Sequence, residues 1–119
     1  LAALQPDTVL PAARASMTTV RYPQLRRAEV CGGTIVGIAK GAGMIEPNMA
    51  TMLCFILTDI DVPKAELQKM LSSSADETFN CMSIDGDQST SDTVVVLSSQ
   101  VRRAMAGVST GGRVAAAFA

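Results

Sequence analysis

The chain has 119 residues, ten Lys and Arg against eleven Asp and Glu, and an apolar fraction of 48%. That suits one small domain with a core and argues against a disordered chain. Balanced charge offers no basic stripe for a phosphate backbone, and one Tyr, three Phe and no Trp leave little for base stacking, so nucleic acid is a poor partner.

No apolar run approaches the ~20 residues that a membrane helix needs. The opening "LAALQPDTVL" has no charged n-region and no Met, so it does not resemble a signal peptide; a chain that opens on Leu1 is expected to be a piece of something longer. Cys31, Cys54 and Cys81 are odd in number, widely spaced and without a C-x-x-C, which favours free thiols in a reducing compartment over a disulfide framework. The chain has no His. That removes the usual base of Ser and Cys nucleophiles and the commonest metal ligand, so any nucleophile here needs another base.

In chain order, "VLPAARASM" (9–17) predicts a short helix with Pro11 in its first turn. "RYPQLRRAEV" follows as a polar connection, since Pro23 does not suit a helix interior. "VCGGTIVGIA" predicts a strand, with Gly32 and Gly33 marking a bulge, a turn or a close backbone approach. "MLCFILTDI" is a continuous apolar run, the pattern of a strand buried on both faces. Asp61 and Pro63 then resemble a helix start, with Asp61 at or near the N-cap, and Ala65, Leu67, Met70 and Leu71 give an amphipathic helix from about 63 to 74. "ADETFNCMSI" extends that helix or forms a second short one, "DGDQSTSD" is a polar loop, and "TVVVLSS" is a β-branched strand. The first half of the tail, from Gln100, is open to a helix. Alternating strands and helices place the chain in the mixed α/β (α+β) class.

Two motifs fail on spacing. Gly33 to Gly43, "GTIVGIAKGAG", is glycine-rich and holds Lys40, but it lacks the G-x-x-x-x-G-K-[ST] of a phosphate loop and the G-x-G-x-x-G of a dinucleotide fold. Asp85, Asp87 and Ser89 alternate like the first ligands of a calcium loop, but Thr90 replaces the required glycine and Val96 the bidentate Glu, so a solvated turn is preferred.

The stretch "KGAGMIEPNMATML" (40–53) holds one threonine, Thr51. On composition alone Thr51 is a β-branched residue opening a strand. Its hydroxyl is a weak nucleophile that needs a base. Without His, one solution is the α-amine of Thr51 itself, released if the preceding peptide bond is cut. An α-amine titrates near ~7.7–8.0 and is partly neutral at physiological pH. Pro47 fixes φ, Asn48 accepts turn geometry, and Ala50 places only a methyl beside the carbonyl to be attacked. A tight turn there would press the Thr51 hydroxyl against that carbonyl and store local strain.

"KGAGMIEPNMATML" resembles the self-cleavage signature of the ornithine acetyltransferases, also called glutamate N-acetyltransferases, of arginine biosynthesis. "SMTT" upstream and "TFNCMSIDGDQSTSDTVVVLSS" downstream resemble the same family in order and approximate spacing, over about residues 11 to 99. The resemblance implies a layered α/β/β/α fold like that of the N-terminal-nucleophile hydrolases. Residues 1–119 would then be part of one acetyltransferase domain, with 1–50 ending an α chain and 51–119 opening a β chain. It implies self-cleavage at the Ala50–Thr51 bond, association of the two chains as a heterotetramer in the full-length enzyme, and Thr51 as catalytic nucleophile. Acetyl would pass from N-acetylornithine through an acetyl-threonine ester to glutamate. Thr51, Lys40 and Thr18 match substrate-binding positions, with the Lys40 ammonium set to pair with a substrate carboxylate. No cofactor or metal is implied; some members also take acetyl from acetyl-CoA, which leaves acetyl-CoA open as a co-substrate.

The match has departures. Val20 stands where the family commonly has Asp, and the tail from about Gln100 does not follow the family pattern. The family's Thr-Gly oxyanion pair and a substrate-binding glutamate have no counterpart in this chain. Loss of one oxyanion donor costs about 10²–10³ in rate, so the chain alone is expected to be inactive. The alternatives are an N-terminal-nucleophile amidase or aminopeptidase, with water as acyl acceptor, and a truncated, non-catalytic paralogue. A bacterial member would be cytoplasmic; a eukaryotic one would lie in the mitochondrial matrix or plastid.

Overall fold

The computed structural model describes residues 8–17, 21–41, 52–81 and 91–103. Helix α1 (Leu10–Ala15) is followed by strands β1 (Gln24–Val30), β2 (Gly33–Lys40) and β3 (Leu53–Asp61). Helix α2 (Lys64–Glu77), a 3₁₀ turn (Phe79–Cys81) and strand β4 (Thr93–Arg103) complete the described chain. The strands form one sheet in the order β1-β2-β3-β4. β1–β2 and β2–β3 are antiparallel, while β3–β4 is parallel, with α2 in the crossover. The result is an α+β arrangement, as the sequence predicts.

The segment expected to be a polar connection is largely a strand. "QLRRAEV" pairs along its whole length with β2, and it looks polar because it is at the edge of the described strands: Arg26, Arg27 and Glu29 are exposed. Charged edges discourage pairing with other chains. In the strand segment expected across 30–39, the turn among the readings open at Gly32 and Gly33 is found: a two-residue hairpin separates Val30, the end of β1, from Gly33, the start of β2. Cys31 and Gly32 have φ of 53° and 80°, and Val30 faces Gly33 across the ladder. Two successive positive φ values are what a type I′ turn requires, and its twist matches that of the strands it joins.

β3 is not buried on both faces. Cys54, Ile56, Thr58 and Ile60 alternate into the core, while Phe55 is 39% exposed on the other side. The core packs Ile35, Cys54, Ile56, Ile60, Val62 and Met70, with Leu67, Phe79, Val94 and Val96 against it. α2 turns Leu67, Met70, Leu71 and Ser74 inward, the i, i+3, i+4, i+7 stripe of a helix lying on a sheet; Ala65, expected on that stripe, is exposed. Asp61 does not cap α2. It ends β3 opposite Arg103, and Pro63 precedes the helix with no side-chain cap. Lastly, the region after Gln100 that was open to a helix continues β4 through Arg103.

The end of the sheet that holds the β1–β2 turn is laced by polar contacts. Asp59 Oδ1 accepts the Thr34 N–H at 2.7 Å, and its Oδ2 lies 3.0 Å from Arg102 Nε. Arg102 also donates to the Gly32 carbonyl at 3.3 Å, and the Thr58 hydroxyl donates to the Thr34 carbonyl at 2.9 Å. These bonds cross three strands at the bulge between Thr58 and Ile60.

Candidate active site

The opposite end of the sheet holds Lys40 and the start of β3, directly after Met52. Because β2 and β3 are antiparallel, β2 ends where β3 begins. Because β3 and β4 are parallel, β4 begins there too. Lys40, the last residue of β2, pairs with Leu53, and Leu53 pairs with Thr93. Adjacent strands lie about 4.8 Å apart, so the three backbones stand side by side. Residues 41–52 connect β2 to β3, although neighbouring antiparallel strands need only about two to five residues between them. A connection of that length between paired strands is usually functional rather than a simple turn.

Lys40 is half-buried, and among the described residues its ammonium forms no ion pair. Its register puts it on the sheet face opposite Cys54, alongside Leu53. Thr18, Ala50, Thr51 and the run holding Asp85, Asp87 and Ser89 lie outside the described residues. Among the described residues, no group of His, Cys, Asp or Glu is arranged to hold a metal ion.

What the described residues do define is the anchor directly after Thr51. Met52 N–H donates to Asp92 Oδ1 at 2.9 Å, and the Met52 carbonyl accepts Thr93 N–H at 2.9 Å. A regular parallel ladder would send the Met52 N–H to the Ser91 carbonyl. Here that carbonyl accepts the Thr93 hydroxyl at 3.3 Å, and the Asp92 carboxylate takes the amide. Sequence reasoning missed Asp92 because it stands in a polar run, "STSD", that looks like loop; the signal was its place directly before the β-branched run of β4.

Cys54 is the thiol at this end. It is 4% exposed, points into the core, and burial pushes its pKa up. A thiol held neutral and enclosed in apolar surroundings is inert. It does not compete for the role of nucleophile.

The ArgJ family model matches residues 1–118, further in both directions than the 11–99 that the motifs suggest, and through the tail after Gln100. The chain belongs to the ArgJ family. It is 49% identical over 102 residues to the arginine biosynthesis bifunctional protein ArgJ of Methylococcus capsulatus, covering 82% of this chain and 25% of that protein. It is 52% identical over 94 residues to the protein of the same name from Nitrobacter winogradskyi, covering 76% of this chain and 22% of that protein. The mitochondrial ArgJ of Dictyostelium discoideum is 50% identical over 96 residues, with 77% of this chain and 22% of that protein covered. This ArgJ-family chain therefore spans about a quarter of the length of the curated relatives it matches. Among the described residues, no helix is long and apolar enough to cross a membrane.

Proposed function

We propose that this chain carries the nucleophile and part of the substrate site of an acetyltransferase of arginine biosynthesis, moving acetyl from N-acetylornithine to glutamate. The observation that carries it is the meeting of three strand ends, with Lys40 beside the residues that follow Thr51, in a chain of the ArgJ family. The relatives' shared name, a bifunctional arginine biosynthesis protein, supports the placement in arginine biosynthesis.

The first step is self-cleavage. Thr51 Oγ attacks the Ala50 carbonyl carbon, the Ala50–Thr51 C–N bond breaks, and the released nitrogen takes the hydroxyl proton. Water hydrolyses the resulting ester, leaving a carboxylate on Ala50 and a free α-amine on Thr51. That amine then serves as base. It takes the hydroxyl proton as Oγ attacks the acetyl carbonyl of N-acetylornithine, and it returns a proton to the leaving ornithine nitrogen. The amine of glutamate attacks the acetyl-threonine ester, the ester C–O bond breaks, the proton lost by the glutamate nitrogen returns through the Thr51 amine to Oγ, and N-acetylglutamate leaves. Lys40 pairs with a substrate carboxylate, and Thr18 contacts the substrate from upstream. Acetyl-CoA is a second donor open to the same ester. Residues 1–50 and 51–119 belong to the two associated chains so formed, and activity is a property of the longer protein.

The test is the intact mass of the full-length protein, with a transfer assay on labelled acetylornithine and glutamate. Two products split before Thr51, and labelled acetylglutamate, are expected; Thr51→Ala should stay unsplit and inactive. A Thr51→Ala protein that still splits at this bond removes the nucleophile assignment. Free acetate without acetylglutamate would point to an amidase instead.

A further inference from the structure

We infer that Asp92 is a positioning residue for Thr51, holding the peptide plane that joins Thr51 to Met52. This rests on the reading of Thr51 as nucleophile. The Met52 N–H belongs to that plane, and it is bound at 2.9 Å by a carboxylate rather than by the carbonyl that a parallel ladder would supply. A carboxylate acceptor makes a bond roughly twice as strong as a neutral one. The Met52 carbonyl is held on its other side by the Thr93 N–H at 2.9 Å. Met52 is thus fixed at both its backbone polar groups by two successive residues of one strand start. Asp92 and Met52 are 40 residues apart in sequence, so this bond is a tertiary one and not a local turn.

The consequence is geometric. Thr51 is joined through one peptide bond to a residue whose N–H and C=O are both hydrogen-bonded to the start of β4. Its Oγ must reach first the Ala50 carbonyl and later the acetyl carbonyl, and a displacement of about 1 Å from the reacting geometry costs about 10²-fold in rate. Before cleavage Asp92 holds the Met52 amide, on the C-terminal side of the Ala50–Thr51 bond. After cleavage Thr51 is a chain terminus, and the anchored Met52 amide is then the nearest fixed point of its backbone.

The experiment compares Asp92→Ala, Asp92→Asn and Thr51→Ala in the full-length protein. It measures the rate of splitting at Ala50–Thr51, kcat and KM for acetyl transfer, and thermal unfolding. Asp92→Ala is expected to slow splitting and lower kcat by about 10²-fold, with KM changed by less than about threefold if ground-state binding is untouched. Asp92→Asn keeps an acceptor oxygen and should recover at least about tenfold of the loss. The positioning role is overturned by normal splitting in Asp92→Ala, by an Asn variant no better than Ala, or by losses that merely follow the folded fraction. If Asp92→Ala does not fold, a folded Asp92→Asn protein that cannot split overturns it equally. Thr51→Ala separates the two claims. If it still splits, the nucleophile reading falls and takes Asp92 with it; if it is silent while Asp92→Ala splits normally, only the positioning role falls.

Discussion

Adding a single methyl group at Gly33 should unfold more of this protein than its size suggests. An ideal Cβ on Gly33 would stand 2.3 Å from Ile60 Cγ1, 2.7 Å from Asp59 Oδ1 and 3.1 Å from Ile60 Cδ1. Ile60 is 1% exposed and sits in the core cluster. Overpacking of this kind costs about 1–3 kcal/mol. The Asp59 carboxylate must shift as well, and its bond to the Thr34 N–H is then lost, at about 1.5–3 kcal/mol for a charged acceptor. Against this, Gly→Ala reduces unfolded-chain entropy and stabilises by about 0.4–1 kcal/mol where the site accepts it. Gly33 is not among the residues with positive φ, so no backbone penalty enters. The net expectation for Gly33→Ala is a loss of about 2–4 kcal/mol.

Gly37 is the matched control on the same strand, because a Cβ there meets nothing within 4 Å. Gly37→Ala should therefore be neutral or stabilising by about 0.4–1 kcal/mol. The measurement is urea unfolding of both variants side by side, followed by far-ultraviolet circular dichroism. A double variant, Gly33→Ala with Ile60→Ala, should be less destabilised than the sum of the two singles by at least about 1 kcal/mol, since Ile60→Ala removes the atoms that collide. Equal unfolding midpoints for Gly33→Ala and Gly37→Ala, or strict additivity in the double variant, would refute the close-approach argument.

Other expectations concern the same sheet. Cys31→Asn creates Asn-Gly, the preferred type I′ pair, and should raise stability by up to about 1 kcal/mol, read as a shifted unfolding midpoint. Asp59→Ala leaves the Thr34 N–H without its acceptor and should cost about 1–3 kcal/mol. Arg102→Ala removes a side chain that is 63% exposed and should cost no more than about 1 kcal/mol; a reversed order would show that the ion pair, not the amide bond, holds this end together. Thiol labelling of the native protein should modify exposed Cys81 well before buried Cys54, and denaturant should erase the difference. Since burial raises the Cys54 pKa, its contribution to stability is complete below the ordinary thiol value and is lost as pH rises through the raised one.

Much of the fold is legible in the sequence where a segment's pattern reports its own environment. β3 and the start of β4 are apolar and β-branched, and α2 keeps its helical stripe. β1 is hidden because its charges serve an edge, which depends on what fails to pair with it. The second face of β3 is hidden too, since Phe55 looks like core in one dimension and is half-open in three. Asp61 has the composition of a helix cap, yet the ladder with Arg103 claims it first. In the candidate site, Lys40 is legible from its glycine-flanked motif, and the structure adds its neighbours Leu53 and Thr93. For Asp92 the sequence offers only its place at the start of β4; its partner Met52 lies 40 residues away, so the bond itself is not legible.

The pairing of β2 with β3 has a consequence for how such a protein could be assembled. Any break between Gly41 and Met52 would put the two strands on separate molecules while the ladder from Ile35–Thr58 to Lys40–Leu53 still stitches them. The seam would run through the middle of a sheet, not along a boundary between lobes. Such a molecule folds first as one chain, when closing the sheet is an intramolecular event. Once nicked and fully denatured, its halves must find each other again, and recovery becomes second order in protein concentration. Refolding yields of the cut form should therefore fall on dilution, while those of an uncut form should not.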